Sequence, residues 1–278
     1  MQPNASKLLP FADRLIVSVS GPVLNEADRH FLEQVRPFGI ILFSENIGGE
    51  HQLAALISEI KAAAGSDTRI AVDFEGGQVN RFREIIGDIP AMGEQDDLAA
   101  FGRESGLLLK RFGVDINFAP VVDLDRGNRG NGLFGRTLGK DPETVIELAG
   151  AYLKGLESTG VTGCLKHYPG LGPTTPDSHF GLPVVTKIST EDEAPFRALS
   201  TPRRWVMVAH VKIAGFREIS TYSKAFLEHL KSFHSGPVVS DDLGMKALPD
   251  APLHVKVEQA LTAGMDFALA RIRAFSDR

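Results

Sequence analysis

Eight short apolar runs recur along the chain, spaced to leave room for about one helix each. They cover 15–19 (LIVSV), 39–43 (GIILF), 70–74 (IAVDF), 116–120 (INFAP), 163–167 (GCLKH), 206–210 (VMVAH), 237–241 (PVVSD) and 266–270 (DFALA). None alternates cleanly between apolar and polar residues, as expected of strands buried on both faces of a parallel sheet. Helical patterns fill the intervals. Asn25 is placed to cap the first helix, and Pro142 stands near the start of one running to Gly160. Similar stretches cover 53–64, 97–112, 189–200, 223–233 and 254–264. Strands alternating with helices predict an α/β chain, a (β/α)8 barrel of the TIM type in one domain over 1–278. An open doubly wound sheet is the rival. It more often carries a glycine-rich phosphate turn after an early strand, and SGPVLN after the first run is not one. Only RIRAFSDR follows the last run. An incomplete C-terminal helix is therefore expected, with the barrel closed by a stub or by another chain, which leaves an oligomer open.

Composition narrows the setting. The chain has 278 residues and a formal charge of −5, with no basic stripe, so nucleic acid is not an expected partner. Cys164 is the single cysteine and lies in an apolar run, which excludes an internal disulfide and fits a reducing compartment. The run 15–19 is short and directly preceded by Asp13 and Arg14, unlike a secretory signal, and no segment approaches the ~20 apolar residues of a membrane span. A soluble, cytoplasmic protein without membrane contact is expected.

The polar residues gather at one place on this frame. Asp73 ends the third run, Lys166 and His167 the fifth, His210 the sixth, and Asp241 and Asp242 close the seventh. In a (β/α)8 barrel the C-terminal strand ends form the active-site rim. Each residue alone has a bland reading: a satisfied histidine, a turn aspartate, or, for Asp242, a cap on the following helix. So many on one rim are harder to explain that way. Asp177 and His179, two apart in a loop rich in proline and glycine, point to the same side if extended. A carboxylate beside an imidazole fixes its tautomer and raises its pKa, which suits a general acid. An Asx-type turn with a solvated histidine explains the same residues equally well. His167, His179, His210 and Asp241 are also metal-ligand types. The chain has no H-E-x-x-H motif and no cysteine pair, so neither a metal nor a cofactor is expected.

The stretch KHYPGLGPTTPDSH (166–179) fits the pattern K-H-aromatic-P-G-(H or L)-G-four residues-D-(S or T)-H. Together with VVSDDLGMKAL (238–248) and AVDFEGGQVNRF (71–82), it resembles the β-N-acetylhexosaminidases of glycoside hydrolase family 3. INFAPVVDL, MVAHV and the late run 260–266 add weaker matches in the same order. The resemblance implies a retaining glycosidase of the single-domain, cell-wall-recycling type, removing N-acetylglucosamine (GlcNAc) from muropeptides. It implies Asp241 as nucleophile, His179 as acid/base and Asp177 as the partner that orients and charges it. It further implies Asp73, Arg81, Arg136, Lys166 and His167 as sugar-binding residues, and His210 at the floor of the pocket. Two-domain β-glucosidases of the broad family generally lack the D-S-H pair. A small carbohydrate is thus the expected partner.

Several positions depart from the family pattern. Phe74 stands for the usual Gln and Gln78 for the usual Arg. Leu133-Phe134-Gly135 shifts the glycine that normally stands two before the arginine. The span between His210 and Ser240 is shorter than usual, and the helices that normally follow the eighth strand are lacking. Two alternatives stay open: a β-N-acetylglucosaminide phosphorylase on the same frame, since an imidazole acid/base would not repel phosphate, and a non-catalytic GlcNAc-binding protein.

Overall fold

A computed structural model describes residues 5–174, 177–178 and 180–272. Eight parallel strands make one sheet: β1 (Leu15–Ser18), β2 (Gly39–Leu42), β3 (Arg69–Val72), β4 (Ile116–Asn117), β5 (Thr162–Tyr168), β6 (Trp205–Val208), β7 (Val238–Ser240) and β8 (Ala268–Ala270). Their order is β7-β6-β5-β4-β3-β2-β1-β8. β8 pairs with β1 in the register Leu15↔Ala268. A bridge between Val239 and Phe267 joins β7 to the approach to β8. Ser240 N donates to Phe267 O at 3.1 Å and Val238 N to Asp266 Oδ2 at 2.8 Å. The eight-strand TIM-like barrel is thus nearly closed by the chain's own last strand. The expected incomplete C-terminal helix would fall on 273–278, outside the described residues.

Seven helices of eight or more residues lie among the described residues: α1 (Glu26–Val35), α2 (Glu50–Ala64), α3 (Leu98–Arg111), α4 (Pro142–Glu157), α5 (Thr190–Leu199), α6 (Lys224–Lys231) and α7 (Leu253–Ala263). Several start on the side chains the sequence offers. Asn25 accepts from Asp28 N, Asp97 from Ala100 N and Asp141 from Thr144 N, each satisfying an amide the helix leaves unpaired.

The period of two in each strand divides the core. Ile16, Ile41, Ala71, Ile116, Cys164, Met207, Val239 and Leu269 point into the barrel, while Leu15, Val17, Ile40, Leu42, Ile70 and Val72 pack outward against the helices. Aromatic rings close the lower end. Phe38 precedes β2, Phe267 precedes β8 and Trp205 opens β6, so all three sit where strands begin. Phe267 stacks on Trp205 at 4.5 Å and Phe38 lies 4.3 Å from Phe267. With the bottom filled, the described interior side chains that can meet an entering molecule lie at the upper end.

Past Val72 the chain leaves the barrel. Phe74–Gly76 and Val79–Asn80 form a small antiparallel hairpin over the rim. The predicted strand 70–74 is therefore cut short by a turn. Gly76 and Gly77 take φ of 82° and 54°, and a Cβ on Gly76 would stand 2.6 Å from Pro90 O. Only glycine fits there without strain.

Candidate active site

Two carboxylates and two cations interlock above β3 and β5. Lys166, 2 % exposed along its side chain, places Nζ 2.7 Å from Asp73 Oδ1 and 2.6 Å from Glu75 Oε1. Arg136 donates through Nε and Nη2 to the two oxygens of Glu75, both at 2.8 Å, and through Nη1 to Gly132 O. Burial alone would push Glu75 up, but the Arg136 guanidinium and the Lys166 ammonium outweigh it and hold the carboxyl far below the usual range. Burial likewise opposes the charge on Lys166, yet Asp73 and Glu75 raise its pKa above the ordinary value. Arg81 reaches Asp73 Oδ2 at 3.7 Å. Asn117 fixes the segment between the carboxylates: its Oδ1 accepts from Phe74 N and its Nδ2 donates to Phe74 O, both at 2.9 Å.

His167 is anchored by Asp123, which is fully buried. Asp123 Oδ2 accepts from His167 N at 2.9 Å and lies 2.8 Å from Nδ1, and Oδ1 accepts from Leu171 N at 2.6 Å. The proton therefore sits on Nδ1, and Nε2 is the atom left to face a ligand.

Asp241 follows β7 directly. Its backbone N donates to Val208 O at 3.0 Å and its Oδ1 accepts from Asp242 N at 2.8 Å. The turn behind it is pinned at successive carbonyls. His210 Nε2 donates to Asp242 O at 2.9 Å while its Nδ1 accepts from the Thr221 hydroxyl at 2.6 Å. The buried Lys256 of α7 donates to Leu243 O at 3.2 Å. Burial keeps the His210 pKa below its ordinary value despite the nearby Asp241. Asp242 Oδ1 accepts from Gly244 N and Arg271 N, both at 2.8 Å, tying this turn to the end of β8. The helix-cap reading of Asp242 is thus replaced: α7 starts eleven residues later, at Leu253.

These groups surround a cavity of about 910 Å³ at the upper end of the barrel. Ile41, Met207 and Leu269 form its apolar floor, and Asp73, Glu75, Arg81, Arg136, Lys166, His167, Asp177 and Asp241 line it. His210 does not. It is fully buried and acts one layer behind, through the Asp242 carbonyl. His179 lies outside the described residues, whereas Asp177, two positions before it, faces the cavity. The Asp177 carboxylate packs on Gly132, where a Cβ would stand 2.6 Å from Oδ2 and φ is +76°. Gly132→Ala is therefore expected to displace Asp177 and to lower kcat by about tenfold or more, with little change in the far-ultraviolet circular dichroism. Unaltered kcat would mean that Asp177 does not need this seat.

Sequence reasoning reached most of this set and missed four supporting residues: Glu75, Asp123, Asn117 and Lys256. Glu75 and Asp123 carried a usable signal. Each is a carboxylate closing or interrupting an apolar run within a few residues after a strand, close to the criterion that selected Asp73. Asn117 and Lys256 had none, because their roles arise from partners 43 and 13 residues away.

An apolar floor, a ring of hydrogen-bonding charges and carboxylates on separate strand ends suit a molecule rich in hydroxyls. The comparisons agree. The family described as "Glycosyl hydrolase family 3 N terminal domain" matches residues 14–276. The chain belongs to glycosyl hydrolase family 3. It is a glycoside hydrolase. A "Beta-hexosaminidase" from Stenotrophomonas maltophilia (strain K279a) is 34% identical over 279 residues, covering 92% of this chain and 82% of that protein. The protein of the same name from Bordetella avium (strain 197N) is 37% identical over 286 residues, covering 92% and 79%. Among solved structures, M tuberculosis LpqI superposes with a TM-score of 0.83 at 31% identity, covering 96% of this chain and 82% of that one. NagZ from Neisseria gonorrhoeae gives 0.82 at 32% identity, covering 93% and 81%. NagZ from the same organism has also been solved in complex with N-trifluoroacetyl-D-glucosamine.

Proposed function

We propose that the protein is a retaining β-N-acetylhexosaminidase that removes non-reducing terminal GlcNAc from peptidoglycan-derived muropeptides, through a covalent glycosyl-Asp241 intermediate. The observation that carries the reading is that Asp241, held on a strand end, and Asp177, on the loop bearing His179, line one cavity. The names of the relatives and the aminosugar bound to NagZ support the sugar. The match of KHYPGLGPTTPDSH to the family pattern supports the roles. In the first step an Asp241 oxygen bonds to C1 while the bond from C1 to the leaving oxygen breaks, and His179, charged and oriented by Asp177, gives that oxygen its proton. In the second, His179 takes a proton from water, whose oxygen bonds to C1 and releases the Asp241 carboxylate. The β configuration is kept. Asp73, Arg81, Arg136, Lys166 and His167 hold the sugar hydroxyls. The positive members of the set are already paired, so they present fixed donors and need little reorganisation. A cytoplasmic setting fits a chain whose single cysteine, Cys164, is buried in the core.

The test is release of aglycone from 4-nitrophenyl β-GlcNAc and 4-nitrophenyl β-glucoside, each with and without inorganic phosphate. The reading predicts a strong preference for the GlcNAc compound and free GlcNAc as product in both buffers. Glucoside turnover of equal rate would contradict the substrate assignment. Formation of GlcNAc 1-phosphate, with rates that follow phosphate, would establish the phosphorylase instead. Binding of GlcNAc with no turnover would leave a sugar-binding protein.

A further inference from the structure

Two of the departures from the family pattern, Gln78 and Phe134, are 56 positions apart in sequence and touch in space. Gln78 Nε2 donates to Phe134 O at 2.7 Å, both residues line the main cavity, and Phe134 is 59% exposed. The Arg129 guanidinium lies over that ring, 4.4 Å from its centroid. Arg129 and Phe134 also line a second, smaller cavity of about 350 Å³, so they form the ridge between the two spaces. Gly132, on the same segment, is the seat of Asp177. The ridge therefore belongs to the side of the cavity from which the proton arrives. In glycoside cleavage that side holds the leaving group, since the acid acts on its oxygen.

We infer that Gln78, Arg129 and Phe134 form an aglycone shelf that selects leaving groups carrying a flat apolar face with a carboxylate beside it. The inference rests on the GlcNAc reading above and assigns the specificity of its leaving-group side. An exposed phenyl ring at a polar cavity mouth offers a hydrophobic face to a sugar or aryl ring. A guanidinium stacked beside it keeps its in-plane donors free to meet a carboxylate. The Gln78 amide fixes the backbone of the ring-bearing residue, which limits the entropy lost when a ligand docks.

The test is calorimetric binding of three thioglycosides of GlcNAc, whose sulfur linkage resists turnover: methyl, phenyl and 4-carboxyphenyl. Wild-type protein is expected to bind the phenyl compound about fivefold more tightly than the methyl one, and the carboxyphenyl compound about fivefold more tightly again. Phe134→Ala is expected to bring the phenyl-to-methyl ratio within about twofold of unity. Arg129→Gln is expected to remove the carboxylate increment while keeping the phenyl one. Equal wild-type affinity for all three compounds would overturn the shelf and leave the GlcNAc reading standing. No binding of any of them would overturn both. Ratios that persist in both variants would place the selectivity elsewhere and overturn the shelf.

Discussion

Asp241→Ala protein is expected to release aglycone from an aryl β-GlcNAc roughly a thousandfold or more slowly than wild type, with its fold intact. In the proposed mechanism Asp241 supplies the bond that splits one difficult displacement into two, and the carboxylates beside it on the barrel rim are engaged elsewhere. Asp73 is tied to Lys166, Glu75 to Lys166 and Arg136, and Asp242 Oδ1 accepts two backbone amides. The fold should survive because the Asp241 backbone is held by Val208 O, and the turn behind it by His210 and Lys256. Added azide fills the space left by the carboxylate and attacks C1 from the same face. It should restore leaving-group release and yield the α-glycosyl azide, inverted at C1. Release at the wild-type rate by the alanine variant would place the nucleophile elsewhere.

Glu75→Gln is expected to cost stability and activity together. Glu75 is 4% exposed and compensates two buried cations, Lys166 and Arg136. Gln keeps the shape but removes the charge, and its amide nitrogen must face one of the two donors. Breaking a buried charge network from one side leaves the remaining charges uncompensated, which costs about 3 kcal/mol. Against a total stability of roughly 5–15 kcal/mol that is a large share. A urea titration should show the loss. Both displaced cations line the sugar cavity, so kcat/KM should fall about a hundredfold. The Lys166→Met/Glu75→Gln double variant should lose less than the sum of the single changes, because each single change strands a charge that the other removes. Stability within about 0.5 kcal/mol of wild type would mean that the network is not worth its charges.

The barrel was legible because its strands are buried on both faces. Such runs stand out whatever their partners, and each of the eight predicted runs coincides with a strand within a few residues. Their ends were less legible. The run 70–74 continues apolar through Phe74, but Asn117 captures both backbone groups of Phe74 and starts a hairpin there. The site was legible wherever a titratable residue sits at a strand end, as with Asp73, Lys166, His167 and Asp241. It failed where a residue works through a partner. His210 reads as a rim residue, yet its ring is consumed by Thr221 and the Asp242 carbonyl. Glu75 sat in plain view beside Asp73, but its value lies in Arg136, 61 positions later, and no local pattern announces that pairing.

Trapping the proposed glycosyl-enzyme tests the nucleophile assignment most directly. The protein is incubated with a 5-fluoro-GlcNAc-configured glycosyl fluoride, whose ring fluorine slows both steps while the fluoride leaving group keeps the first one fast, and is then digested and examined by mass spectrometry. The account predicts one added fluorosugar on the peptide containing Asp241, carried by that side chain. A label on any other residue, or continued rapid turnover with no label on Asp241, would contradict it.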